Sequence, residues 1–283
     1  MSEFYNNTKT VLLLGLLTAL IVWIGNMLGG AQGMVIALVF AGIMNFVGFF
    51  FSDKIALMTM HAQEVGPEHE LYKIVKELTQ KIDMPMPRVY ISPAEAPNAF
   101  ATGRNPNHAA VCATQGLLGM LSRNEILGVM AHELSHVQHR DILIQSVAAT
   151  IGGAISMLAH MAMYMGHSRD DRDSPNPLAT LAILILGPLA AMLIQAAISR
   201  SREFNADTSG GEMCGNPMYL ATALEKIHRG AKQIPLDVNP AFNSMFIAEP
   251  LNPMRTMVGL FQTHPPLEAR LTNLIGKEST GLV

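Results

Sequence analysis

Within the stretch VMAHELSHVQHRD (129–141), His132 and His136 stand four residues apart and Glu133 follows the first. On an α-helix that spacing places the two imidazoles about 40° apart on one face and about 6 Å along the axis, where both can bind one ion. Glu133 lies too far round the helix to join that coordination sphere readily, but it can hold a water that occupies an open metal position. This is the HExxH arrangement for hydrolysis, in which the metal acidifies a water and the glutamate takes its proton. The plainer alternative is a helix that happens to be polar on this face. His139 shares the face, yet about 10 Å of helix axis separates it from His132, too far for one tetrahedral ion. The HExxHxxGxxH pattern also fails, because position 139 is His rather than Gly and position 142 is Ile. His139 is therefore expected to be a partly exposed interfacial residue.

A third ligand has to come from elsewhere in the chain. SREFNADTSGG (201–211) offers Glu203 and Asp207 one helical turn apart. One carboxylate could bind the metal while the other accepts a hydrogen bond from a ligating histidine and fixes its tautomer. Glu212 competes with Glu203 for the ligand role, and an ordinary charged face beside Arg200 and Arg202 is the reading without a metal.

Ser122 and Glu125 form a capping box ahead of Ile126, Val129, Met130 and Val137, so the motif falls on a properly started helix. Upstream, Leu71, Ile74, Val75, Leu78 and Ile82 make one stripe of a helix over 67–82, begun by Pro67. PRVYIS, NAFATG and AAVCAT (87–92, 98–103 and 109–114) read as strands of a small sheet. Residues 217–232 form another helix, 233–262 an irregular loop rich in Pro, Asn and Met, and 265–276 a last helix from two prolines to Gly276.

The setting is a membrane. Of 283 residues 49% are hydrophobic and only 14% charged, which favours a membrane protein over a soluble one. No Asp, Glu, Lys or Arg occurs between Lys9 and Asp53, an interval that holds two spans joined at GGAQG (29–33). A cleaved signal peptide is the rival reading of residues 1–28. Two more apolar runs, 142–166 and 177–199, form a second hairpin, with a buried soluble hairpin as the alternative. Lys9, Lys54, Arg140, Arg200 and Arg202 share one side if all four runs cross, which favours both termini and the polar bulk in the cytoplasm. An even number of spans between His136 and Glu203 keeps the ligands on one side. If the helices ran on unbroken, the metal would sit about 10 Å from the membrane surface. The net charge of −3 and the lack of a basic run give no sign of nucleic acid, and the two cysteines are too few for a disulfide framework.

HELSH, SREFNAD after a hydrophobic hairpin, NAFATG upstream and HPPLEAR downstream together resemble the HtpX-type membrane metalloproteases, relatives of the CaaX prenyl proteases. The likeness runs over nearly the whole chain. It implies a mainly α membrane protein with four transmembrane helices and a cytoplasmic α+β, zincin-like catalytic domain containing a small sheet and the HExxH helix. The divisions expected are an N-terminal hairpin (1–52), a first catalytic part (53–141), a second hairpin (142–199) and a second catalytic part (200–283). It further implies a gluzincin-type endopeptidase of the bacterial inner membrane, with one Zn2+ per chain on His132, His136 and Glu203 and with Glu133 as the catalytic base. Its substrates would be misfolded or damaged membrane polypeptides. By the same resemblance, the edge strand at Asn98, Ala99, Phe100 and Ala101 binds the substrate backbone, and His264 stabilises the oxyanion. Asp207 orients a ligand, and Arg270 is a structural ion-pair partner. Processing of prenylated peptides, a non-hydrolytic zinc scaffold and a transporter are the competing functions; His160 is the one ionisable residue inside a proposed span, which counts against a transport pathway.

Overall fold

The computed structural model describes residues 2–152, 200–233, 247 and 265–276. The chain opens with α1 (Ser2–Thr59), helical except at Gly29 and Gly30, where Gly30 takes a positive φ of 58°. Glycine tolerates that left-handed conformation, so the helix doubles back on itself. The two arms are joined across the hairpin by a hydrogen bond from Asn45 Nδ2 to Thr18 Oγ1 (2.8 Å) and by Leu14, Leu17 and Ile21 packing with Met44 and Phe49. The turn expected at 29–33 is thus present. Among the described residues one helix, Gly29–Thr59, is long and apolar enough to cross a membrane, while Leu14–Trp23 and Ile142–Gly152 are shorter apolar helical stretches. Most of the second hairpin, residues 153–199, lies outside the described residues.

The polar part combines a four-stranded mixed sheet with helices. β1 (Gln63–Glu64) pairs antiparallel with β2 (Arg88–Ser92), β2 runs parallel to β4 (Ala109–Thr114), and β4 pairs antiparallel with β3 (Ala99–Gly103). The order β1-β2-β4-β3 leaves β3 at one edge. β4 is buried along its whole length, as a central strand of small apolar residues should be. β1 was not foreseen, since two exposed polar residues carry no strand signal.

α2 (Glu70–Lys81) starts three residues later than Pro67 suggests, because His69 is the N-cap and its Nδ1 accepts from the Leu71 N–H. Its buried stripe of Leu71, Ile74, Val75 and Leu78 faces the main core, each side chain contributing about 1.5–3 kcal/mol by removal from water. After the short α3 (Gln115–Met120) comes α4 (Arg123–Gln138), begun by the expected capping box: Ser122 accepts from the Glu125 N–H and the Glu125 carboxylate accepts from the Ser122 N–H. α5 occupies Ile142–Gly152 in the described part. Its Leu143, Val147 and Ile151 pack on the α1 hairpin, and Ser146 meets Thr102 of β3 at 2.8 Å. The remaining helices are α6 (Arg200–Cys214), α7 (Pro217–Gln233) and α8 (Leu267–Ile275), the last closed by Gly276 in the left-handed conformation. α4 is the hub of the core, packed by α2, α6, α7 and β3, and every residue from Glu125 to Val137 is buried.

Candidate metal centre

α4 and α6 lie in direct backbone contact. A Cβ on Gly210 would come within 2.9 Å of the His132 nitrogen, so only glycine lets α6 press this closely on the histidine helix. The same face of α6 carries Asp207 about one turn and Glu203 about two turns before Gly210, and both reach His132. His132 Nε2 lies 3.8 Å from Glu203 Oε2, His136 Nε2 lies 3.5 Å from Glu203 Oε1, and the two Nε2 atoms are 3.3 Å apart. One ligand atom from each of His132, His136 and Glu203 falls within 4.8 Å of the other two, and all three side chains are buried. Glu212 is exposed on α6 and stands outside this group.

Each histidine uses its other ring nitrogen on a carboxylate. His132 Nδ1 lies 3.0 Å from Asp207 Oδ1, and His136 Nδ1 lies 3.3 Å from Asp141 Oδ2. With Nδ1–H donated to the acids, both Nε2 lone pairs are directed toward Glu203, the tautomer a metal ligand needs. Asp141 was not singled out in the sequence. It reaches His136 because α4 ends in a Schellman turn, with Arg140 at φ 60°, Asp141 N–H bonded to the His136 carbonyl (2.9 Å) and Arg140 N–H to the Val137 carbonyl (3.2 Å). Glycine usually marks this turn, and its replacement by Arg140 hides the signal. The turn also breaks the helix between Gln138 and Ile142, so the straight run from the histidines into the second apolar segment does not occur. His139 is half-buried, as anticipated.

Asp207 is held in turn by Arg270, whose Nη2 and Nε donate to its two oxygens at 2.6 and 2.9 Å. Both groups are almost fully buried. Burial works against the charge on Asp207, but Arg270 and His132 outweigh it and hold the carboxyl below its usual range. Burial also disfavours the His136 imidazolium, yet Glu203, the Asp141 hydrogen bond and Glu133 push its pKa up to about 9. Arg270 pairs with Asp207 and Arg202 lies 4.0 Å from Asp141, and Glu133 and Glu203 bring two more buried carboxylates to the two imidazoles. A dication answers this donor set in both charge and ligand type.

Ile247, another residue not foreseen, connects this centre to the sheet edge. Its N–H lies within hydrogen-bond distance of Asn98 Oδ1 and the Ala99 carbonyl, both at 3.1 Å, and its carbonyl accepts from Arg270 Nη1 at 3.2 Å. Asn98 Oδ1 also accepts from the Ala99 N–H, at 2.9 Å. Asn98, Ala99, Phe100 and Ala101 are all buried. Ala99 and Ala101 face the core that contains α4, and Phe100 faces α1. His264 lies outside the described residues.

The sequence profile described as peptidase family M48 matches residues 66–278. A protein named "Protease HtpX homolog" from Desulforapulum autotrophicum is 51% identical over 276 residues, covering 95% of this chain and 89% of the relative. Its namesake from Syntrophotalea carbinolica is 51% identical over 278 residues, covering 95% and 98%. One from Burkholderia cenocepacia is 50% identical over 283 residues, covering 98% and 99%. Among solved structures, that of Ste24p from S. mikatae aligns with a TM-score of 0.51 at 16% identity, over 97% of this chain and 66% of that one; at such identity the likeness speaks for the fold alone.

Proposed function

The chain belongs to peptidase family M48, and on that premise we propose that it is a zinc endopeptidase of the bacterial inner membrane that hydrolyses misfolded or damaged membrane proteins at the cytoplasmic face. Metalloprotease activity at a membrane comes with the family and the HtpX-named relatives. The observation that carries the finer reading is the convergence of His132, His136 and Glu203 with an acid behind each histidine.

In this reading His132, His136 and Glu203 hold the ion, while Asp207 and Asp141 fix their partner rings with Nε2 inward. When bound, zinc supplies the Lewis acidity that lets water attack a peptide carbonyl near neutral pH. Glu133 accepts the proton of the attacking water and passes it to the leaving amine. Substrate adds as a strand along β3. Strand alternation puts the polar groups of Ala101 on the outer edge, beyond Ala99 whose N–H and carbonyl already meet Asn98 Oδ1 and the Ile247 N–H, so main-chain hydrogen bonds from there along β3 supply affinity without demanding a sequence. His264 donates to the developing oxyanion. The chain crosses the bilayer four times with both termini cytoplasmic; the apolar helix Gly29–Thr59 and its hairpin partner support the first two crossings. The fold then divides as the sequence divides, hairpins at 1–52 and 142–199 alternating with the two catalytic parts.

Glu133→Gln tests the assignment. It keeps the size of the side chain and removes the base, so the purified protein should retain its metal and lose cleavage of an unfolded protein in detergent. Retained turnover would reject Glu133 as the base.

A further inference from the structure

The second arm of α1 ends beside a groove of about 560 Å3 that belongs to neither the metal centre nor the β3 edge facing it. Its floor is aromatic. Phe46, Phe50 and Phe51 line it and remain 56%, 44% and 39% exposed, a large apolar surface at the end of a helix long and apolar enough to span a bilayer. Its rim is basic. Lys54 and Asp53 are the first charged residues after Lys9, so they mark the level at which the chain leaves the hydrocarbon.

Three fixed cations converge here. Arg88 is ion-paired with Asp53 at 2.7 Å, which neutralises both. Arg104, in the loop after β3, instead stands over the Phe50 ring with its guanidinium carbon 5.6 Å from the centroid, and Lys54 Nζ is 5.4 Å from that of Phe51. Neither Lys54 nor Arg104 meets a carboxylate among the described residues, so the groove carries two uncompensated positive charges directly above exposed aromatic rings. Apolar surface below and positive charge above match the two ends of one kind of molecule.

We propose that this groove binds an anionic phospholipid, with its acyl chains along the Phe46, Phe50 and Phe51 face and its headgroup phosphate between Lys54 and Arg104. Arg104 directly follows Gly103, the last residue of β3, so a bound lipid would tether the far end of that strand to the membrane surface. A purely apolar interfacial anchor would make no distinction between lipid headgroups, whereas two fixed cations favour a net negative one. Each basic residue near a membrane surface contributes about fivefold to anionic lipid affinity, so removing both should cost about 25-fold.

The test is native mass spectrometry of the full chain in a neutral detergent, titrated with dioctanoyl phosphatidylglycerol, dioctanoyl phosphatidylcholine or inorganic phosphate. The wild type should retain one phosphatidylglycerol per chain, far less phosphatidylcholine and no phosphate. K54Q/R104Q should lose phosphatidylglycerol about 25-fold while keeping its metal, and R104K should stay within a few-fold of wild type. Should the double variant fail to fold, the wild-type headgroup comparison and R104Q decide. Equal retention of both lipids, retention of inorganic phosphate, or undiminished phosphatidylglycerol binding in K54Q/R104Q or R104Q would overturn the proposal.

Discussion

Asp207→Asn is the substitution whose two consequences can be separated. Asp207 is fully buried, receives two hydrogen bonds from Arg270 at 2.6 and 2.9 Å, and lies 3.0 Å from His132 Nδ1. Asparagine keeps the shape and removes the charge. Arg270, itself only 3% exposed, then loses its counter-ion in the interior, a change that costs about 3–5 kcal/mol when one partner of a buried pair is removed. Independently, His132 loses the carboxylate that fixes its tautomer, which should weaken metal binding about 10–100-fold. Adding Arg270→Met removes the stranded cation, so the double variant should recover most of the stability and none of the metal affinity. Denaturant unfolding followed by a probe in the catalytic part reads the first quantity, and competition against a chromophoric chelator reads the second. The reasoning fails if Asp207→Asn leaves both unchanged, or if metal affinity returns together with stability in the double variant.

Other expectations follow from the same contacts. Because His136 is raised from 6.5 to about 9, its protonated form stabilises the metal-free protein below pH 6.5, and that contribution is lost as pH rises to 9. Metal uptake must expel this proton, so affinity should fall up to about tenfold per unit as pH drops below 9, measured by titration in two buffers of different ionisation enthalpy. Asp141→Asn should lower metal affinity by about 10–100-fold, like Asp207→Asn, read by the same chelator competition, because His136 loses the carboxylate beside its Nδ1. Gly210→Ala must push α6 away from the His132 backbone, costing about 1–3 kcal/mol in denaturant unfolding and weakening metal retention. Glu125 is held below the ordinary carboxyl range: burial opposes this, but Lys226 and Ser122 prevail. Its contribution is therefore present above that ordinary value and lost as pH falls through its lowered one. Glu125→Ala should remove the acid-range loss and cost about 1 kcal/mol.

What the sequence disclosed depended on how local the cause was. The capping box, the histidine spacing and the Glu203/Asp207 turn are set within a few residues by helix geometry, and each is found where its pattern places it. The strands at 88–92, 99–103 and 109–114 were legible for the same reason. Asp141 was not, because its approach to His136 depends on a left-handed Arg140 where the pattern asks for glycine. The link from Asn98 through Ile247 to Arg270 spans 149 residues and then 23, and main-chain atoms of an isoleucine carry it, so side-chain type gives no hint. Arg270 was expected to be an ion-pair partner. Asp207 as that partner became apparent only once α6 and α8 were packed together.

In the proposed reading, His132 and His136 of α4 and Glu203 of α6 share a single ion. Metal analysis of the purified full chain, wild type beside Glu203→Ala, tests it most directly. The expected result is one zinc per wild-type chain and its loss from a variant that remains folded. Full zinc occupancy in Glu203→Ala would place the third ligand elsewhere and contradict the account.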